Sequence, residues 1–261
     1  MLFLKTYGIS LVVTTLGFIK YIYFISLGYG ISIAAIGAYL LLTQNLKGIE
    51  ILIGFMYIVY GLRLSLFLAI REFMIDTYNK KMKNEIKSGK EVNIIIKILI
   101  WTSCCLLYAC QSSPLTFRIL STKEDGMLSY VGIIIAFSGF LLELKADSEK
   151  SAAKKINPER FVDSGLYKIV RCPNYLGELL FWIGNFIGGI KIYDGFFHWF
   201  ISLLGLTLIT YVMFSGARRI EMRQNKSYGK DPEYQKYIKT TPILLPIVPI
   251  YSVEKYTWLK A

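Results

Sequence analysis

Long apolar blocks separated by short basic stretches constrain this chain more than any other feature. A helix needs roughly 20 apolar residues to cross about 30 Å of hydrocarbon. Seven stretches reach or approach that length: Ile9–Leu27, Gly30–Leu42, Ile51–Ile70, Ile94–Ala109, Leu128–Leu144, Tyr175–Ile192 and Phe196–Phe214. The expected fold is therefore all-α, a polytopic membrane protein of about seven transmembrane helices forming one integral domain over residues 1–261. The 54% hydrophobic content and mean hydropathy of +0.46 agree, because soluble domains carry fewer apolar residues. The first stretch reads as a membrane helix and not as a removed signal. Gly28-Tyr29-Gly30 reads as a tight turn that pairs the first two helices as a hairpin.

Charge gives the expected orientation. Of the 30 Lys and Arg residues, 22 fall after the third, fifth and seventh stretches, and five fall on the opposite side. Arg71, Lys80, Lys81, Lys83, Lys87 and Lys90 make up the first of these basic segments. The opposite side carries Lys5, Lys47, Arg118, Lys123 and Lys191. The positive-inside bias then places the N-terminus outside and the C-terminus in the cytosol of a bacterial inner membrane or an endoplasmic reticulum. A net charge of +12 is explained by this topology, so no nucleic-acid partner is expected. The polar tail from Ser215 onward should pack back on the cytosolic face, with Thr241–Pro246 as its Pro-punctuated end.

Cys104, Cys105, Cys110 and Cys172 form no CxxC pair, and with a lone His198 they offer no zinc set. His198 sits among Phe196, Phe197 and Trp199 and reads as an aromatic-belt residue. No GxGxxG or GxxxxGK[ST] pattern supports a Rossmann or P-loop nucleotide site.

Ionisable residues at membrane depth are costly and therefore candidates for function. Arg63 is the strongest of these in the third stretch; Lys20 and Lys97 read as snorkelling helix-end residues. Glu143 and Asp147 are four apart, on one face of the fifth helix as it leaves the membrane. The densest constellation runs from Gly165 to Glu178. Pro173 suits a helix start, which puts Asn174, Tyr175 and Glu178 on the first turns, with Asn174 and Glu178 at i, i+4. A helix N-terminus beside Arg171 makes an anion site. The tail adds Arg218, Arg219, Glu221, Arg223, Tyr228, Tyr234 and Tyr237, which spacing alone does not assign.

These residues carry a likeness. Asp147 and Lys150, Gly165-Leu166-Tyr167, Arg171-x-Pro173-Asn174-Tyr175-x-Gly177-Glu178 and Trp182-x-Gly184 resemble the C-terminal domain of the steroid 5-alpha-reductase family. So do Gly61-Leu62-Arg63-Leu64 with Arg71, and Glu221…Tyr234-x-x-Tyr237…Leu245-Pro246. The likeness spans about residues 60–249. Cys172 stands where that family usually has a histidine. The resemblance implies a seven-helix NADPH-dependent reductase that saturates a carbon–carbon double bond conjugated to a carbonyl in a steroid or other lipid. It implies a cofactor site of Asp147, Lys154, Arg171, Asn174 and Tyr175, with Arg218, Tyr228 and Tyr237 as further cofactor candidates. Glu178 would act in catalysis. Tyr57, Tyr60 and Glu50 are the possible partners of the substrate carbonyl. Two alternatives stay open: a membrane methyltransferase of the isoprenylcysteine carboxyl methyltransferase type using S-adenosylmethionine, and a non-catalytic lipid-binding protein.

Overall fold

The computed structural model describes residues 1–74 and 92–260. The side chain of Arg71, together with Lys80, Lys81, Lys83, Lys87 and Lys90, lies outside the described residues. The architecture is all-α. In chain order the helices are α1 (Leu2–Val13), α2 (Leu27–Thr43), α3 (Ile49–Met74), α4 (Ile94–Leu120), α5 (Met127–Ile156), α6 (Pro173–Gly189), α7 (Gly195–Tyr228) and α8 (Pro232–Thr240). Among the described residues, five segments are long and apolar enough to cross a membrane: Tyr21–Thr43, Ile49–Ile70, Ile94–Leu120, Met127–Ile156 and Gly195–Tyr228. Leu2–Phe18 is apolar but shorter. Helix α6 has 17 residues and carries Asn174, Glu178 and Asn185. The chain forms two compact units, one of residues 1–129 and 188–205, the other of residues 130–187 and 206–261.

In the first unit, the expected helix over Ile9–Leu27 is broken. Helix α1 ends at Val13, and the 3-10 turns Thr14–Phe18 and Tyr21–Phe24 follow. Side chains take over the carbonyls that a continuous helix would use. The Thr14 hydroxyl donates to Ser10 O at 2.6 Å, Trp101 Nε1 donates to Leu11 O at 3.1 Å, and Tyr108 O–H donates to Phe24 O at 2.6 Å. Lys20 lies in this break, half-buried, with its ammonium 5.4 Å from the Tyr23 ring centroid. Lys97 occupies the first turn of α4, the helix-end position expected for it.

Gly28-Tyr29-Gly30 is not a turn; all three residues are inside α2. The glycines serve close approach. A Cβ on Gly30 would stand 2.6 Å from Gly61 O, and one on Gly61 only 2.3 Å from Gly30 O. Gly37 lies equally close to Gly54 O. Helices α2 and α3 thus meet along a seam of small residues, the usual way apolar helices gain van der Waals contact where lipid removes the hydrophobic incentive.

Helix α4 continues past the expected end at Ala109, through Gln111-Ser112-Ser113-Pro114, to Leu120. The polar run looks like a helix exit, yet its groups turn inward and its two serines find hydrogen-bond partners. Ser112 donates to Tyr108 O at 3.0 Å, and Ser113 shares a 2.9 Å hydrogen bond with Ser202. Arg118, expected in an outer loop, is buried at the end of this helix. It pairs with Asp125 and donates to Gly188 O. Its helical phase gave the clue: Arg118 follows Gln111 by two turns, on the same polar face.

Candidate functional site

The second unit gathers most of the residues singled out in the sequence. Its frame is a glycine seam between α5 and α6. A Cβ on Gly139 would lie 2.5 Å from Gly177 O, one on Gly177 2.6 Å from Glu143 N, and one on Gly184 2.4 Å from Ala136 N. Backbone contact this close sets Glu143 of α5 beside the first turns of α6, where Glu178 resides. Glu143, Asp147 and Glu178 are all buried. Helix α5 then runs on to Ile156, twelve residues beyond the expected Leu144. It carries Asp147, Lys150 and Lys154 on the turns that leave the apolar stretch.

The Gly165-Leu166-Tyr167 motif proves to be scaffolding. Gly165 has φ +58, and a Cβ there would lie 2.3 Å from Glu149 Oε2. Only glycine suits both the left-handed backbone and the carboxylate beside it. Glu149 accepts the Leu166 N–H at 2.8 Å and so fixes the 3-10 turn Gly165–Lys168 to α5. Tyr167 O–H reaches Ala146 O at 3.3 Å, and Tyr237 O–H donates to Tyr167 O at 2.7 Å. Tyr237, expected at the cofactor, therefore holds this turn to α8.

The turn leads into Arg171 and Cys172, whose N–H groups donate to Pro242 O and Ile243 O, each at 2.9 Å. The Arg171 side chain is only 2% exposed. Its Nη2 donates to Glu221 Oε1 at 2.8 Å and to Tyr251 O at 2.5 Å, while Glu221 Oε2 accepts the Val253 N–H at 2.8 Å. The guanidinium thus ties α7 and the tail to the start of α6. Its Nε and Nη1, both buried, have no hydrogen-bond partner among the described residues. Arg171 thus brings a buried cation, paired with Glu221, two residues before the helix start at Pro173.

Other candidates have different tasks. Lys154 Nζ makes three hydrogen bonds, to Pro158 O, Arg160 O and the Tyr228 hydroxyl. All three of its donors are engaged, so it staples the 157–160 loop and, through it, Tyr228. Arg218 Nε donates to Glu254 O at 3.0 Å and its Nη1 to Leu259 O at 3.4 Å, which holds the tail. Lys154, Arg218, Tyr228 and Tyr237, expected at the cofactor, thus all make hydrogen bonds within the protein. Asn174 and Tyr175 remain half-buried on the first turn of α6, where the Tyr175 ring lies against Gly216. Tyr57 and Tyr60 lie fully buried in the first unit, where Tyr60 packs edge-on against Tyr29. Glu50 is in the first turn of α3 and accepts the Lys47 N–H at 2.9 Å. Arg63 stacks over Phe67, one turn on, at 5.5 Å.

Burial raises the thiol and the phenols around Arg171. The Cys172 thiol is pushed up to about 11 by desolvation, against the opposing pull of Lys150 and Arg171. Burial likewise lifts the Tyr234 phenol to about 12, with Arg171 working in the other direction. Tyr167 is raised by burial first and by the Asp147 carboxylate second. Lys150, Arg171 and Glu221 thus act on Cys172, while Asp147 and Cys172 both act on Tyr167. A neutral buried thiol is inert. Cys172 is therefore expected to resist maleimide in the folded protein at neutral pH, with labelling read by mass spectrometry. Because its folded pKa lies above the unfolded one, its contribution to stability is complete below about pH 8.5 and is lost as pH rises toward about 11. The thermal midpoint should fall over that window.

The fold and this cluster define a polytopic helical membrane protein with a buried charged site at one end of an apolar helix pair. A family profile described as a protein of unknown function, DUF1295, matches residues 13–241, and the chain belongs to that family. No curated protein and no solved structure matches it.

Proposed function

We propose that the protein is a membrane-embedded NADPH-dependent reductase of a carbon–carbon double bond conjugated to a carbonyl in a lipid-like substrate. One observation supports the reading: Nε and Nη1 of the buried Arg171 guanidinium meet no hydrogen-bond acceptor among the described residues, two residues before α6 begins. A dinucleotide phosphate needs such donors. The resemblance of Asp147, Lys150, Arg171, Asn174, Tyr175 and Glu178 to the steroid 5-alpha-reductase pattern supports the choice of coenzyme. The reading also takes Leu2–Phe18 and α6 as crossing segments, which with the five long spans makes seven, the basic tail being cytosolic.

Bound NADPH would supply the hydride. The chain's own residues do the rest. Arg171 and the α6 N–H groups hold phosphate, while Asn174 and Tyr175 orient the coenzyme from the same turn. Asp147 offers an acceptor for ligand hydroxyls. Glu178, buried about one turn further in, is placed to donate a proton or a hydrogen bond where negative charge develops on the substrate oxygen. The proposal rests on the second unit alone, and Tyr57 and Tyr60 take no part in it.

Asn174 gives the cleanest test, because it is half-buried and outside the Arg171–Glu221 pair. Asn174→Ala should weaken NADPH binding about tenfold, a loss of about 1.4 kcal/mol, with the thermal midpoint unchanged. The binding is read as coenzyme fluorescence in detergent. Unchanged affinity would remove Asn174 from the site, and tighter response to S-adenosylmethionine than to NADPH would favour the methyltransferase.

A further inference from the structure

The C-terminal segment carries a second feature, independent of the reductase reading. Residues 247–260 expose Ile247, Val248, Tyr251, Tyr256 and Trp258, with Trp258 63% and Ile247 93% exposed. In a soluble tail such side chains would fold inward. Here inward anchors already exist: Val253 and Leu259 are buried, and Arg218 holds Glu254 O and Leu259 O. The segment is pinned with its aromatic side outward.

Where it is pinned identifies what covers it. Tyr211 O–H donates to Trp258 O at 3.0 Å and to Lys260 O at 3.2 Å, and the Tyr211 and Trp258 rings stack at 6.1 Å. Tyr211 belongs to the apolar part of α7, which runs to Phe214 before the first charge at Arg218. Seven residues of helix separate Tyr211 from Arg218, about 10 Å along the axis. Trp258 therefore returns to the level of a helix that crosses the bilayer, at the depth where indole and phenol rings settle between hydrocarbon and headgroups. Cations flank it. Lys255 lies 5.1 Å from the Tyr256 ring centroid, Lys260 is exposed, and Arg219 projects to solvent one turn beyond Phe214. The only carboxylate of the segment, Glu254, is engaged by Asn225 Nδ2 at 2.7 Å.

We propose that residues 247–260 form an interfacial anchor docked on an anionic phospholipid surface, with Trp258 and Tyr256 at the acyl boundary and Lys255 and Lys260 among the headgroup phosphates. The same segment supplies Tyr251 O to Arg171 and the Val253 N–H to Glu221, so its seating reaches the candidate site.

The test uses the full chain in nanodiscs of phosphatidylcholine, alone or with about one third phosphatidylglycerol, whose negative surface attracts basic residues. The Trp258 signal is the difference in emission between the native protein and Trp258→Phe. That signal should be quenched by lipids brominated near the headgroup, and anionic discs should cut its quenching by acrylamide about twofold relative to neutral discs. Lys255→Glu with Lys260→Glu, both at exposed positions, should erase the difference while circular dichroism stays native. Acrylamide quenching that is equal in the two discs, or a Trp258 signal that brominated lipid leaves untouched, overturns the proposal.

Discussion

Replacing Arg171 by alanine is expected to destabilise the protein by about 3–5 kcal/mol and to abolish measurable coenzyme binding. The two partners of its ion pair are each 2% exposed, at 2.8 Å. Removing the guanidinium leaves the Glu221 carboxylate buried without its cation, and frees the tail at Tyr251 O. Breaking such a pair costs far more than the pair contributes, because a lone charge has no water to compensate it. Stability and binding are separable here. Arg171→Met combined with Glu221→Leu removes both charges and keeps apolar volume, so most of the lost stability should return. Coenzyme binding should not return, since the anion loses Nε and Nη1 as well. A double variant that binds NADPH normally would reduce Arg171 to a structural clamp. The thermal midpoint and a binding isotherm on the three proteins decide the matter.

The second large effect lies in the α5–α6 seam. Gly177→Val is expected to cost at least the upper end of the about 1–3 kcal/mol typical of overpacking. Its Cβ would stand 2.6 Å from Glu143 N and 2.7 Å from Gly139 O. Both are backbone atoms, so no side chain can rotate away. The helices must separate, which moves Glu178 away from Glu143 and displaces the first turn of α6. Expression and thermal midpoint should both drop. Gly195→Ala, at a glycine with nothing near its Cβ but with φ +63, should cost only about 1 kcal/mol from backbone strain. A Gly177 variant as stable as that control would mean that the seam is looser than described.

The sequence made the membrane character and five long apolar helices plain because apolar length is a local property, readable one segment at a time. What it concealed follows from three-dimensional satisfaction of polar groups. The Trp101 indole donates to Leu11 O and to the Thr14 hydroxyl where the first helix ends, and that partner is not visible in the local pattern. Gly28 and Gly30 have the composition of a turn, yet they mark where another backbone comes near. Arg118 sits at the end of an apolar block, as loop cations do, and beyond its helical phase nothing local shows that it turns inward to pair with Asp125. In the candidate site, Arg171, Asn174 and Glu178 were recognisable because a proline, an amide and a carboxyl at helix-start spacing have few other uses. Lys154, Tyr228 and Tyr237 have equally polar side chains in the same region, but their hydrogen bonds close on the protein itself. Spacing could not separate donors that serve the scaffold from donors left for a ligand.

The central claim is that the start of α6 binds a phosphate-bearing dinucleotide. A thermal-shift panel on the detergent-purified full chain measures this directly. At about 100 times its dissociation constant, a ligand contributes about 2.7 kcal/mol of stability. NADPH is expected to raise the midpoint saturably, and S-adenosylmethionine to leave it unchanged. A midpoint that does not move with NADPH, at concentrations where inorganic phosphate also has no effect, would contradict the account.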